Sequence, residues 1–144
     1  MEHLKIVNNS KHPLPAYQTA GSAGIDLVAN LGQPITIQPL GRAIISTGLF
    51  MAIPQGMEGQ VRPRSGLATK KGVTVINSPG TIDSDYRGEV MVGLVNLSNE
   101  PYTVNDGDRV AQLVISKFEA LTIQKVDSLD ETSRGHGGFG HTGV

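Results

Sequence analysis

The sequence predicts an all-β fold, a distorted jelly-roll-like barrel or sandwich, on three observations. Its apolar runs are short and rich in β-branched residues. They are cut by Gly, Pro, Asn or Asp about every ten residues, the spacing of sandwich and barrel strands. No window keeps apolar residues at i, i+3, i+4 and i+7 over three helical turns.

Taken in order, the strand-like runs are LKIV (4–7), IDLVA (25–29), ITI (35–37) and AIISTGLFMAI (43–53). VTVI (73–76), EVMVGLVNL (89–97), YTV (102–104), RVAQLVISKF (109–118) and LTIQKV (121–126) follow. Pro39-Leu40-Gly41, Pro54-Gln55-Gly56, Ser78-Pro79-Gly80 and Asn105-Asp106-Gly107 read as turns, because Pro presets φ and Gly supplies positive φ. The one plausible helical turn is SGLATK (65–70), just after Pro63-Arg64. The organisation that follows is a β domain over 1–126, an acidic linker over 127–133 and a Gly-rich arm over 134–144. At 144 residues there is room for a single core. Aromatics are 4% with no Trp, so that core must be built from Val, Ile and Leu.

Composition excludes several classes of function. The net charge of −1 provides no global field for nucleic acid or an anionic membrane, so direct nucleic-acid binding is not expected. The absence of Cys removes disulfides, thiolate zinc sites and a Cys nucleophile. The start, MEHLKIVNNSKHPLP, lacks the apolar core of a signal peptide, and no stretch approaches the ~18 apolar residues of a membrane span. A cytoplasmic location is the default. The four His are His3, His12, His136 and His141, and they form no tight pair, which argues against zinc and against a His-centred triad.

Three internal segments could carry chemistry. From Gln60 to Ile82 there are four basic residues and no acid, and inside lies PRSGLA (63–68). An Arg fork, a Ser hydroxyl and exposed backbone N–H groups at a helical turn suit a phosphate; the alternative is a solvated basic loop capped by Ser65. NSPGTIDSDYRGE (77–89) crowds Asp83, Asp85 and Glu89 beside that basic window, as a metal ion or an attacking water would require, or as a hairpin with Asp-decorated turns. In AGSAGIDLVA (20–29), Asp26 sits inside an apolar strand. A lone buried carboxylate is costly, so Asp26 must lie at an exposed strand end, pair with a base or face a metal. Gln112 in RVAQLV reads as an ordinary outward strand residue. The terminal RGHGGFGHTGV has too many Gly and too little apolar surface to fold alone. That tail and the sheet edges of a small β domain hint at an oligomer.

Together these stretches resemble the trimeric deoxyuridine triphosphatase (dUTPase) family. AGIDL (23–27), PRSGLA (63–68), GTIDSDYRGE (80–89), GDRVAQL (107–113) and RGHGGFGHTG (134–143) are similar to its five motifs in order. The resemblance implies a jelly-roll-like homotrimer with active sites at subunit interfaces. It implies hydrolysis of dUTP to dUMP and pyrophosphate with Mg²⁺, keeping uracil out of DNA and supplying dUMP for thymidylate synthesis. By position, it implies that Asp83 is the general base for water attack on the α-phosphorus and that Asp26 holds the hydration shell of Mg²⁺. Arg64, Ser65, Gly66 and Gln112 fall on phosphate contacts. Asn77 and the backbone of Gly80, Thr81 and Ile82 fall where uracil is read, and Tyr86 falls under the deoxyribose, where a 2′-OH would clash. Arg134 and Thr142 fall on arm contacts to the terminal phosphate, Gly140 on an arm contact to substrate, and Phe139 on the ring that stacks over uracil. Two departures stand out: His141-Thr142 replaces the more usual Ser-Thr, and Pro79 removes a backbone donor next to the base-reading strand. A deoxycytidine triphosphate deaminase and a non-catalytic β module are the competing readings.

Overall fold

A computed structural model of the chain describes residues 2–143; Val144, the last residue of the expected arm, lies outside the described residues. The strands in chain order are β1 (Lys5–Asn8), β2 (Gly24–Val28), β3 (Ile35–Ile37), β4 (Arg42–Ala52) and β5 (Met57–Arg62). A single helix, α1 (Ser65–Lys71), precedes β6 (Val73–Val75), β7 (Gly80–Ile82), β8 (Glu89–Asn96), β9 (Tyr102–Val104) and β10 (Arg109–Lys117). They form two four-stranded sheets, ordered β1-β4-β8-β6 and β2-β10-β5-β7, with β3-β9 as a separate two-stranded ribbon. All recorded pairings are antiparallel. This is the jelly-roll-like all-β architecture that the short alternating runs predict.

Alternation explains how one core serves both sheets. In β8, Val90, Val92 and Leu94 point inward and are buried, while Met91 faces out. In β2, Ile25 and Leu27 are buried while Asp26 is turned to the other face. The inward residues of both sheets merge into one apolar cluster that also takes Ile45, Leu113 and Val110. Each fully buried Leu, Ile or Val contributes about 1.5–3 kcal/mol of transfer free energy.

Three departures from the sequence reading have physical causes. MEGQVR forms β5, although its Glu, Gln and Gly hide the strand pattern. Gly59 faces inward where a Cβ would lie 2.9 Å from Ile53 and 3.1 Å from Leu113, so close packing replaces the missing apolar side chain. GTI forms β7 instead of the end of a turn, because it pairs with β5 through Gly59↔Ile82 and Val61↔Gly80. LTIQKV is in no strand. β10 ends at Lys117, and Leu121 and Ile123 are exposed with no neighbouring strand to pair with. Among the described residues, no helix is long and apolar enough to cross a membrane.

Candidate active site

The candidate residues gather in two places. The first is a row across the outer face of the second sheet. In the register of β2, β10 and β5, Gln112 lies opposite both Asp26 and Arg62. Directly opposed residues in antiparallel pairs share a face, so the row reads Asp26, Gln112, Arg62. Gln112 Nε2 donates to Pro63 O at 2.9 Å, tying the row to the PRSG loop. Gln112 also packs on Gly24, where any Cβ would meet its side-chain oxygen at 2.5 Å.

Asp26 pairs with bases. Its carboxylate lies 3.5 Å from Arg64 Nε and 3.7 Å from Arg109 Nε, and Arg64 Nη1 donates to Arg109 O at 3.3 Å. Pairing with a base, one of the three situations open to a strand carboxylate, is therefore met. The role of Arg109 is missed by sequence reasoning, although it stands inside GDRVAQL; only the β2–β10 pairing brings it to Asp26.

Ser65 is not the helix cap. The N-cap is Arg64, in extended conformation with no side-chain cap bond. The Ser65 side chain is exposed, and nothing lies within 4 Å of a Cβ built on Gly66. The first-turn N–H groups of a helix lack intrahelical acceptors, so this end is open to an anion. Lys70 and Lys71 sit in the last turn, and with Arg64 and Arg109 they rim a cavity of about 480 Å³. The Tyr102 hydroxyl in that cavity is pushed to higher pKa by burial first and by Asp108 second, against a lowering by Arg64.

The second place is the hairpin between the sheets. The chain leaves β6 in the first sheet, crosses to β7 at the edge of the second, and returns through Asp83–Gly88 to β8. The Ser78-Pro79 peptide is cis, and the Ser78 hydroxyl donates to Val75 O. Asn77 is wedged between two glycines: a Cβ at Gly80 would lie 3.0 Å from its Nδ2, and one at Gly93 3.7 Å from its Oδ1. β7 pairs with β5 on one side only, so its other edge presents backbone donors and acceptors. Asn77, Thr81, Ile82, Asp83 and Tyr86 line one cavity of about 450 Å³. Tyr86 N donates to Asp83 O at 3.1 Å, closing a tight turn. The Asp83 side chain is exposed. The ion pairs among the described residues join Lys11, His12, Asp26, Arg64, Asp106 and Arg109, and Asp83 is in none of them.

Ser65 and Gln112 line another cavity, of about 490 Å³, with Ser78 and Pro79 of the hairpin on its rim; it shares no lining residue with the Asp83 cavity. The arm joins neither. Arg134 Nε donates to Gly137 O at 2.7 Å, and Gly137 N and Gly143 N bond to Arg134 O and Gly140 O. Phe139 is fully exposed with φ of 48°, and Gly140 and Thr142 are exposed beside it. His141 lies over Gly137, where a Cβ would come within 2.6 Å of its ring.

Mg²⁺ takes oxygen ligands and keeps several waters. Among the described residues there is no group of three or more His, Asp or Glu able to hold a metal. Asp26 is a single carboxylate beside open phosphate-type donors. That donor set fits an ion carried by substrate oxygens and water with Asp26 at its hydration shell, and does not fit a protein-only cage.

Comparison with known proteins gives the family and the fold. The dUTPase family model matches residues 10–143. The deoxyuridine 5'-triphosphate nucleotidohydrolase of Finegoldia magna is 54% identical over 140 residues, covering 97% of this chain and 98% of its own. That of Cytophaga hutchinsonii is 55% identical over 97% of this chain and 91% of its own. Among solved structures, a dUTPase of Staphylococcus bacteriophage 80alpha with dUPNHPP superposes with a TM-score of 0.89 at 24% identity over 100% of both chains. A mutant dUTPase from phage phi11 of S. aureus, which coordinates a structural Mg(II) ion, superposes with a TM-score of 0.79 at 23% identity, over 88% of this chain and 98% of its own.

Proposed function

The chain belongs to the dUTPase family, and on that premise we propose that it hydrolyses dUTP to dUMP and pyrophosphate by attack of water on the α-phosphorus. The observation that carries the reading is Asp83: an exposed carboxylate outside every ion pair of the described residues, on the rim of a cavity that a backbone edge and Tyr86 complete. A carboxylate placed there can accept the proton of a positioned water. The water oxygen bonds to the α-phosphorus, its proton passes to Asp83, and the bond to the bridging oxygen breaks to release pyrophosphate.

The remaining residues position and neutralise. Arg64, the Ser65 hydroxyl and the first-turn N–H groups at Gly66 face the phosphates, with Gln112 beside them. When bound, Mg²⁺ supplies charge neutralisation on the phosphate oxygens, with Asp26 at its hydration shell. The free edge at Gly80, Thr81 and Ile82, with the Asn77 amide, can pair with the polar edge of uracil. A base that leaves one of these groups unpaired is rejected at high cost. Tyr86 lies under the sugar.

That the Asp83 cavity and the cavity at Ser65 and Gln112 share no lining residue supports a site assembled between chains; in the homotrimer that family membership implies, one subunit supplies the row and another the hairpin. The exposed arm then closes with Arg134 and Thr142 at the terminal phosphate, Gly140 against the substrate and Phe139 on the base. A cytoplasmic setting is part of the same proposal.

The test is to measure pyrophosphate from dUTP and ammonia from dCTP with the purified protein. Pyrophosphate from dUTP supports the reading; ammonia without pyrophosphate transfers the protein to the deaminases. Neither product would leave a binding module.

A further inference from the structure

The hairpin that carries Asp83 and Tyr86 rests on a residue that has no role in the scheme above. Glu89 opens β8 immediately after the hairpin. Its Oε1 accepts the N–H of Gly48 at 2.7 Å and the hydroxyl of Ser46. Both donors lie in an irregular part of β4. Between the pairs Ser46↔Met91 and Phe50↔Glu89, β4 advances four residues while β8 advances two. The excess is folded out at Gly48, whose φ is +69° and where a Cβ would lie 2.9 Å from the backbone of Ser10. A bulge of this kind frees backbone donors from the ladder, and here the Glu89 carboxylate takes one.

The other end of Glu89 holds Tyr86. The tyrosine Oη donates to Glu89 O at 3.0 Å. Its ring is folded over Gly88, where a Cβ would lie 2.3 Å from Oη and 2.5 Å from Cζ. The ring position therefore depends on a bare backbone at Gly88 and on where the Glu89 carbonyl stands. The carboxylate decides the second by fastening the start of β8 to β4. By contrast, the base-reading strand β7 is held by β5, and the Asp83 turn is closed by its own backbone. Glu89 also lines the cavity shared by Asp83 and Tyr86.

We propose that Glu89 is a positioning residue for sugar selection: its carboxylate locks the start of β8 to the β4 bulge and so holds the Tyr86 ring where deoxyribose is accepted and ribose refused. The inference rests on the dUTPase reading, in which Tyr86 underlies the sugar.

The experiment is the ratio of kcat/KM for dUTP to that for UTP, with kcat and KM measured separately and melting temperature alongside. Glu89→Ala lowers the ratio roughly tenfold or more, because small displacements at a reacting site carry large penalties. Glu89→Gln keeps an acceptor for the Gly48 amide and holds the ratio within about threefold, since a neutral acceptor still makes most of a hydrogen bond. Tyr86→Phe lowers the ratio in the same direction, and the Glu89→Ala/Tyr86→Phe pair falls no further than the larger single change, as expected for coupled neighbours. If Glu89→Ala does not fold, Glu89→Asp carries the same expectation, because its shorter side chain cannot reach the bulge without moving β8. A wild-type ratio in Glu89→Ala or Glu89→Asp, whatever the melting temperature, overturns the proposal. Wild-type protein that releases no pyrophosphate from dUTP overturns the dUTPase reading itself, and this inference with it.

Discussion

The hairpin over 77–89 and the arm over 134–143 are ordered by opposite means. The hairpin is held from outside: β7 pairs with β5, Asn77 is gripped between Gly80 and Gly93, and Glu89 is fastened to β4. The arm is held only by itself, through short-range bonds such as Arg134 Nε to Gly137 O, and Phe139 covers nothing. The difference shows where ordering entropy is settled. The hairpin's share is offset during folding by the core beneath it. The arm's share is not offset by the core, and in the proposed reading it is offset only when the arm closes on a ligand, at a cost of about 1–2 kcal/mol per residue fixed. A preformed cavity suits selection of base and sugar; an arm ordered late suits closure that excludes water.

The first way to break this comparison is at the hairpin. Asp83→Asn is expected to lower kcat by about 10²–10⁴-fold, the range of a positioned general base, while binding of a non-hydrolysable dUTP analogue changes little. Single-turnover pyrophosphate release and calorimetric titration check the two halves. Normal turnover would remove Asp83 as the base.

The arm comes next. Truncation after Ser133 is expected to leave the melting temperature unchanged, because the arm's hydrogen bonds among the described residues close within 132–143. Its kcat/KM for dUTP should fall on the order of 10²-fold through lost closure and positioning. Full activity in the truncated protein would show that the arm is no lid.

Mixing sharpens the contrast. Asp83→Asn subunits and arm-truncated subunits, unfolded and refolded together, are expected to recover activity that neither has alone if hairpin and arm reach one site from different chains. An absence of recovery, with mixed oligomers verified by mass, would place the whole site in one chain.

The smallest effect lies away from both regions. Asp106 accepts the Leu31 N–H at 2.8 Å and pairs with His12 at 2.9 Å and Lys11 at 3.1 Å. The Leu31 amide first, then the His12 contact, holds its carboxyl well below the ordinary 3.8. A carboxyl with a depressed folded pKa contributes stability above its unfolded value, and that contribution is lost as pH falls through the folded one. Melting temperature should therefore drop on acidification below about 3.8, and Asp106→Asn should flatten that part of the profile. An unchanged slope in the variant would show that the pairing contributes nothing measurable.

The strands were largely legible because alternation is a local property. Val90, Val92 and Leu94 announce a buried face within five residues of chain. Where a strand escaped, its pattern was not written in its own residues. Gly59 is inward because Ile53 and Leu113 occupy the space a side chain would need. LTIQKV looks like a strand by composition, but a strand needs a partner, and the chain's own sheets offer it none.

The sequence by itself determined the fold class, most of the turns and the family motifs, and named the candidate residues for chemistry. The tertiary structure decided which of them meet. Asp26, Arg62 and Gln112 become one row through antiparallel register across three strands, and Arg109 reaches Asp26 by the same pairing. The lack of a shared lining residue between the cavity at Ser65 and Gln112 and the Asp83 cavity, and the bracing of Tyr86 through Glu89, likewise come from how the sheets pair. Register between distant strands is set by the packing of the whole core, and no short stretch of sequence contains it.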